Sequence, residues 1–253
     1  MEEVIPLFKS HYSLGRSILT LQKPKEEPDD KADSIFDICT EFDLKELFLV
    51  EDNMSSFLEA YSNAEELKIK LNFGLRLTFC EDMEVQSEES RKNSYKNIIF
   101  AKNVDGYKQL IKIYTDAAQK GFYYEPRIDS VNLQRHWTED LILTVPFYDS
   151  FLYNNKYTSS KCVPDFSFTS PVFLVEDNDL LLDKDMAKAV YDFCGDKYEV
   201  FKAKSIFYKN KEDFAAYLAA RCISKRTTID KPNFDGMCSD EFSYESYREV
   251  VNG

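Results

Sequence analysis

Two histidines and six cysteines are the chain's candidates for metal or nucleophile chemistry, and their spacing supports neither. His11 has no Cys, His or Asp partner at ligand spacing, so a partly buried turn residue is a better reading than a ligand. His136, beside Trp137 in a loop ahead of an apolar run, reads as half of a surface aromatic pair. Cys39, Cys80, Cys162, Cys194, Cys222 and Cys238 are widely spaced, with no CxxC pair and no secretory signal. That usage predicts reduced thiols, mostly filling the core of a cytoplasmic protein. Glycine numbers seven, and neither GxGxxG nor a Walker-type GxxxxGK motif occurs, which excludes dinucleotide and P-loop phosphate cradles.

Two further stretches could bind rather than catalyse. "GFYYEPRID" (121–129) sets Phe122, Tyr123 and Tyr124 beside Arg127, a combination that can stack unpaired bases or else pack against the body of the fold. "EDMEVQSEES" (81–90) is an acidic insert and reads as a solvated loop. The formal net charge of −13 argues against a broad duplex clamp, because non-specific affinity comes from cations neutralising phosphates, and leaves room for a local basic pocket.

The elements that must position these residues alternate along the chain. Ser34 is placed to cap a helix with Ile35, Ile38, Cys39 and Phe42 on one face. "LFLVE" (47–51) reads as a strand. A helix follows with Phe57, Leu58, Tyr61, Ala64 and Leu67 at helical spacing, then a strand over 69–79. "NIIFA" (97–101) precedes a helix carrying Tyr107, Leu110, Ile111, Tyr114 and Ala118, with Gly121 at C′. Strands over 140–145, 171–175 and 198–208 alternate with a helix ending at Gly195 and one that Asn210 caps, with Asp213 in its first turn. With 43% hydrophobic residues the chain can bury a sizeable core, and no apolar run approaches the roughly 20 residues of a membrane span. The alternation predicts an α/β protein, one domain over residues 1–253, with a mostly parallel sheet of about seven units closed into a distorted barrel.

At this point particular residues carry a likeness. "KSHYSLGRSILTL" (9–21), "EDNMSSFLEAY" (51–61), "IKLNFG" (69–74), "YKNIIFAKNVDGYKQLIKIYTDAAQKGFYYEPRID" (95–129, most specifically 101–129), "FYKNKEDFAAYLAARCISKRTT" (207–228) and "DEF" (240–242) resemble the PHP domain, named for polymerase and histidinol phosphatase, in the form found at the N-terminus of bacterial DNA polymerase III alpha subunits. The resemblance implies a TIM-like, distorted (β/α)7 barrel with a metal cluster at the C-terminal strand ends. Active members hold two or three ions with His, Asp, Glu and sometimes Cys. It also makes "GFYYEPRID" a framework piece, which favours packing over base stacking.

Laid along the family pattern, the opening His-x-His pair falls on Leu7 and Lys9, and the acidic residue after it on Arg16. The histidine after the second strand falls on Glu51, with Val50 where an Asp would precede it. The Gly-x-Glu glutamate falls on Arg76 behind Gly74, the next histidine on Lys96, a later Cys or His on Phe147, and the closing Asp-x-His on Ser205 and Phe207. Glu51 alone could bind metal. Lys9, Arg16, Arg76 and Lys96 repel one, since unit charges about 4 Å apart at an effective dielectric near 20 interact by on the order of 4 kcal/mol. No metal and no other cofactor is expected.

Two roles follow for the cations. They pair with Glu51 and nearby carboxylates in place of an ion, or, being net positive against Glu51, they grip a phosphate, a nucleotide or a nucleic acid end, with Arg16 and Arg76 as the bidentate groups. The first carries more weight, since charge clusters are often structural. The expected function is a catalytically inactive PHP domain of a DNA polymerase III alpha-like protein, a scaffold in DNA replication that docks the polymerase core or the proofreading exonuclease and touches DNA indirectly. The alternatives are a metal-dependent phosphoesterase or 3′–5′ exonuclease, and an anion-binding module. The chain is either a piece of a longer polymerase or free-standing.

Overall fold

Apolar residues at alternate positions place one side chain inside and the next outside along most of the strands of a barrel. The computed structural model describes residues 4–24, 32–228 and 239–252; Cys238 and most of the loop "KPKEEPDDKAD" lie outside the described residues. The strands are β1 (Val4–Phe8), β2 (Glu46–Glu51), β3 (Lys70–Phe79), β4 (Tyr95–Ala101), the two-residue β5 (Arg127–Ile128), β6 (Leu141–Val145), β7 (Val172–Val175) and β8 (Val200–Ile206). Pairing runs β1–β2–β3–β4–β6–β7–β8 and back to β1, which closes a seven-stranded barrel. β5 continues the edge of β3 beyond β2, at Thr78 and Phe79.

The barrel is parallel except for β4, which runs antiparallel to both β3 and β6. A parallel return needs a crossover. The chain between β3 and β4 instead carries a short helix, α3 (Glu88–Lys92), whose N-terminal approach is tied down next to β5, and the strand comes back reversed. The reversal brings the N-terminal end of β4 to the rim where the other strands end.

Two apolar layers result. Inside the barrel sit Leu7, Val50, Ile98, Leu174 and Ala203, floored by Ile5, Phe48 and Phe100. Gly74 makes room for this floor, since a Cβ there would lie 2.6 Å from the ring of Phe100. Outside, a larger core joins the sheet to helices α1 (Ile35–Glu41), α2 (Phe57–Glu66), α4 (Val104–Gln119), α5 (Ser130–Gln134), α6 (Phe151–Tyr157), α7 (Asp183–Cys194), α8 (Phe214–Lys225) and α9 (Tyr244–Asn252). Cys39, Cys162 and Cys194 are buried free thiols in the outer core and Cys80 is a buried free thiol just after β3, and burial pushes Cys39 and Cys80 up to about 12.

The caps follow the sequence more closely than the faces do. Ser34 accepts from the Phe36 N–H at the start of α1, and Asn210 and Asp213 form a reciprocal capping box ahead of α8. On α2 the buried residues are Ala60, Asn63 and Ala64, while Leu58 is exposed. On α4 they are Gly106, Leu110, Ile113 and Ala117, with Ile111 outward. Gly106 is buried where a Cβ would meet the Asp140 carbonyl, and Asn63 donates to the Leu21 carbonyl, choices that hydrophobicity spacing misses. Gly121 follows α4, but its φ is not positive. It is glycine because a Cβ would overlap the carbonyl oxygen of Arg127. Among the described residues no helix is long and apolar enough to cross a membrane.

Candidate functional site at the barrel mouth

The inward positions turn from apolar to charged at one end of the barrel. Leu7 is followed by Lys9, Val50 by Asp52, Gly74 by Arg76, Leu174 by Glu176 and Ala203 by Ser205, each two residues further along the chain; Lys9, Asp52 and Glu176 stand just past the ends of their strands. Lys96 joins from the reversed β4, opposite Thr78. Leu7, Lys9, Arg16, Arg76, Ser205 and Phe207 come together around one cavity of ≈ 50 Å³, which Val50, Tyr148 and Glu176 also line.

The cations there are locked into carboxylates. Lys9, 6% exposed, donates to Asp52 at 3.0 Å, and Arg76, 8% exposed, donates to the same oxygen at 3.2 Å. The other arm of Arg76 donates to Asp149, which Arg16 approaches at 3.8 Å. Asp149 takes a left-handed backbone conformation (φ 60), and its carbonyl accepts from the Lys96 N–H at 2.8 Å. The Lys96 ammonium donates to Thr78 and, at 2.6 Å, to Glu125. Burial works against ionising Asp52, but Lys9 first and then Arg76 outweigh it and hold the carboxyl well below its ordinary range. Asp149 is lowered in the same way, against burial, by Arg76 and Arg16. Lys9 and Lys96 are both lowered, chiefly by burial, with Arg76 adding repulsion and Asp52 or Glu125 opposing it.

Glu51 is not the partner of these cations. It is fully buried, and its two oxygens accept from the Ser10 N–H and the Ser13 hydroxyl. The expected excess of four cations over Glu51 is therefore corrected: Lys9, Arg16, Arg76 and Lys96 share the mouth with five carboxylates, Glu51, Asp52, Glu125, Asp149 and Glu176. Glu176 accepts from the Ser205 N–H and hydroxyl, each at 2.9 Å, and from Asn178 at 3.0 Å; burial raises its pKa against those bonds. Phe147 does not face the cavity. Its ring lies in the outer core, and its neighbours Pro146 and Tyr148 form that wall.

Other sequence readings are revised. His11 is exposed, with its ring 4.5 Å from Tyr12. His136 pairs with Asp116 at 2.7 Å, while Trp137 packs edge-on against Phe168, so the two do not form an aromatic pair. Arg127 is 1% exposed and donates to the carbonyls of Gly121, Met83 and Val85 and to the Ser90 hydroxyl. It clamps the acidic insert, whose Met83 is buried, instead of facing a ligand. Phe122 and Tyr124 are exposed, so neither packs against the barrel.

Comparison with known proteins places this arrangement. The model of the PHP domain matches residues 27–160, more than half of the chain. The chain belongs to the PHP domain family. Glu51, Arg76, Lys96 and Phe147 fall inside the matched span, and Lys9, Arg16, Ser205 and Phe207 outside it. Among curated proteins, the DNA polymerase III alpha subunit of Borreliella burgdorferi is 33% identical over 94 residues, covering 36% of this chain and 8% of that protein. The alpha subunit of Helicobacter pylori is 32% identical over 84 residues, covering 33% and 7%. That of Aquifex aeolicus is 27% identical over 167 residues, covering 61% and 14%. This PHP chain thus spans a small fraction of the relatives it matches.

The family implies a metal cluster, and the side chains at this mouth do not fit one. Among the described residues no three His, Cys, Asp or Glu side chains gather as a metal site. Asp52, Asp149 and Glu125 are already held by guanidinium and ammonium groups, and Glu51 and Glu176 by serine and asparagine donors. Asp52 and Asp149 escape the sequence reading because they lie just past the family positions, at Glu51 and Phe147, and Glu125 and Glu176 because they lie far from any of them in the chain. Glu176 had a signal, since it continues the inward alternation of Val172 and Leu174.

Proposed function

We propose that this PHP domain is catalytically inactive and serves as a structural domain of a DNA polymerase III alpha-like protein, docking the polymerase core or a proofreading exonuclease. One observation carries the reading: Asp52 is shared by Lys9 and Arg76 where the resemblance puts metal ligands. Metal-assisted hydrolysis needs an ion that polarises the phosphate and lowers the pKa of a bound water. Here fixed cations supply the positive charge, and they can neither bind a water as hydroxide nor leave. What the mouth does instead is tie β1, β2, β3 and the turn after β6 together. The alpha-subunit relatives support the replication setting.

Metal analysis of the purified chain, with a manganese-dependent phosphodiesterase and 3′–5′ exonuclease assay, tests the inactivity. The expected result is no stoichiometric metal and no turnover; turnover that chelator abolishes refutes it. Calorimetric titration with a polymerase core and with a proofreading nuclease tests the scaffold role, and no saturable binding to either refutes that part.

A second reading rests on the cavity. Lys9, Arg16 and Arg76 line it, and Arg16 reaches Asp149 only beyond hydrogen-bond distance, which leaves its guanidinium able to turn to an anion. Phosphate or a short 5′-phosphorylated oligonucleotide then binds at low salt, more weakly as salt rises, and the Arg16→Gln and Arg76→Gln variants lose it. Binding unaffected by both variants removes this reading.

A further inference from the structure

We infer a second surface, outside the barrel mouth, that docks a basic protein segment carrying apolar side chains. The inference does not rest on the inactivity of the mouth. Its centre is the turn 122–125. Phe122 is 53% and Tyr124 66% exposed, and Val85 in the insert is 46% exposed. The two segments are clasped to each other: Arg127 binds the carbonyls of Met83, Val85 and Gly121, and the Gln86 amide reaches the Phe122 carbonyl at 3.5 Å. Tyr123 lies under Arg127 and edge-on to Tyr124, and Arg91 covers one face of Tyr124 at 4.6 Å. The result is a preset aromatic surface, held from below by the Lys96–Glu125 pair at 2.6 Å.

The charge around it selects the partner. Glu81, Asp82, Glu84, Glu88 and Glu89 are exposed along the same insert, against Arg91 and Lys92. Arg91 is already engaged with Glu88 at 3.7 Å and with Tyr124, and Arg127 is buried. A single nucleic acid strand would find aromatic faces here but would bring its phosphates against that acidic edge, with the loop's own arginine out of reach. An arginine- or lysine-bearing segment gains on both counts, since its cations meet the carboxylates and the open ring faces, and its apolar side chains meet Phe122 and Val85. Tyr124 holds a left-handed conformation (φ 62), so Asn, which tolerates that conformation, can replace it without forcing the turn open.

The test is selection of random twelve-residue peptides on the full chain, followed by titration of the enriched peptides against variants. Phe122→Ser with Tyr124→Asn removes the rings. Glu84→Lys with Glu88→Lys reverses the edge, and Asp192→Lys with Asp196→Lys, exposed at and just beyond the end of α7, makes the same charge change elsewhere. The expected outcome is enrichment of Lys or Arg interspersed with Leu or aromatic residues, and affinity at least tenfold lower in the first two variants. The α7-end variant should change affinity less than threefold, and affinity should fall when 150 mM salt replaces 50 mM, because the contacts of the peptide's cations with exposed carboxylates are screened. Acidic or unpatterned peptides, equal losses in the α7-end variant, or oligothymidylate binding that depends on Tyr124 would each overturn the inference.

Discussion

Replacing Asp52 with Asn keeps the shape of the side chain and the bond from the Asp52 N–H to the Ser13 hydroxyl, but removes the charge that Lys9 and Arg76 share. Lys9 is then a buried ammonium facing Arg76, with Glu51 committed to Ser10 and Ser13. Removing one partner of a buried pair costs about 3–5 kcal/mol. Asp52 keeps 29% of its side-chain surface in solvent, and Arg76 keeps Asp149, so the lower end applies, about 3 kcal/mol. For a chain of this size that lowers Tm by about 6–12 °C. The effect has a pH signature as well. The Asp52 carboxyl is held below its unfolded value of about 3.9, so its contribution is complete above about pH 5 and fades as pH falls through the unfolded value towards the folded one. Urea and thermal melts of both proteins from pH 3 to pH 8 measure the gap. A loss within about 0.5 kcal/mol at pH 7, the range of an ordinary surface change, or a gap that does not narrow in acid, refutes the role given to Asp52.

Three further outcomes follow from the same geometry. Lys96→Met breaks a pair whose Glu125 side is 47% exposed, so it costs about 1 kcal/mol, and its clearer mark is faster amide exchange at residues 122–125 than in the parent. Gly121→Ala drives a Cβ into the Arg127 carbonyl, where backbone must move, and is expected to cost more than about 3 kcal/mol in urea melts; a near-neutral result means that the turn is looser than described. Glu176→Gln acts in the opposite direction to Asp52→Asn. Burial raises the folded pKa of Glu176 above its unfolded value of about 4.3, so the parent loses stability as pH rises from that value towards the folded one, and the variant flattens this slope. Urea midpoints at pH 4.5 and pH 7.5 test it, and an unchanged slope counts against the assignment.

Much of this fold is legible because local signals agree with it. Ser34 and the Asn210–Asp213 box start helices where their side chains can satisfy free N–H groups. The apolar runs of β2, β6 and β7 are short and buried, as barrel strands must be. The reversed β4 is not legible, because direction depends on where the preceding chain is anchored, and that anchor is Arg127, 32 residues beyond Tyr95 in the chain, which the sequence offers only as one member of an aromatic stretch. The helix faces of α2 and α4 are legible in part: Ala64 and Leu110 are buried and Phe57, Leu67 and Tyr114 pack on the core as expected, but Leu58, Tyr61 and Ile111 face out while Ala60, Asn63, Gly106 and Ala117 are buried, which a count of large apolar residues does not weigh. The cations at the mouth were visible one by one. Their partners were not, since Asp52, Glu125 and Asp149 come from loops whose approach is set by the closed barrel.

On the function proposed above, that origin accounts for a mouth that carries cations where the family resemblance puts metal ligands and still stays folded. A metal cluster draws its ligands inward from strand ends, and the ion holds them against their mutual repulsion. Once Lys and Arg occupy those ends, the repulsion is between cations, and the remedy must come from groups that can reach in from outside the barrel wall. Asp52 follows β2, Asp149 follows β6, and Glu125 precedes β5, so each carboxylate belongs to a connecting segment and not to a strand interior. Each pair therefore fixes a loop as well as a charge. The Lys96–Glu125 pair sets the turn that exposes Phe122 and Tyr124, and the Arg76–Asp149 pair sets a backbone conformation from which Asp149 also receives the Lys96 N–H. A mouth built in this way is a poor place to bind and release an ion, and a good one for holding surface loops in a single arrangement.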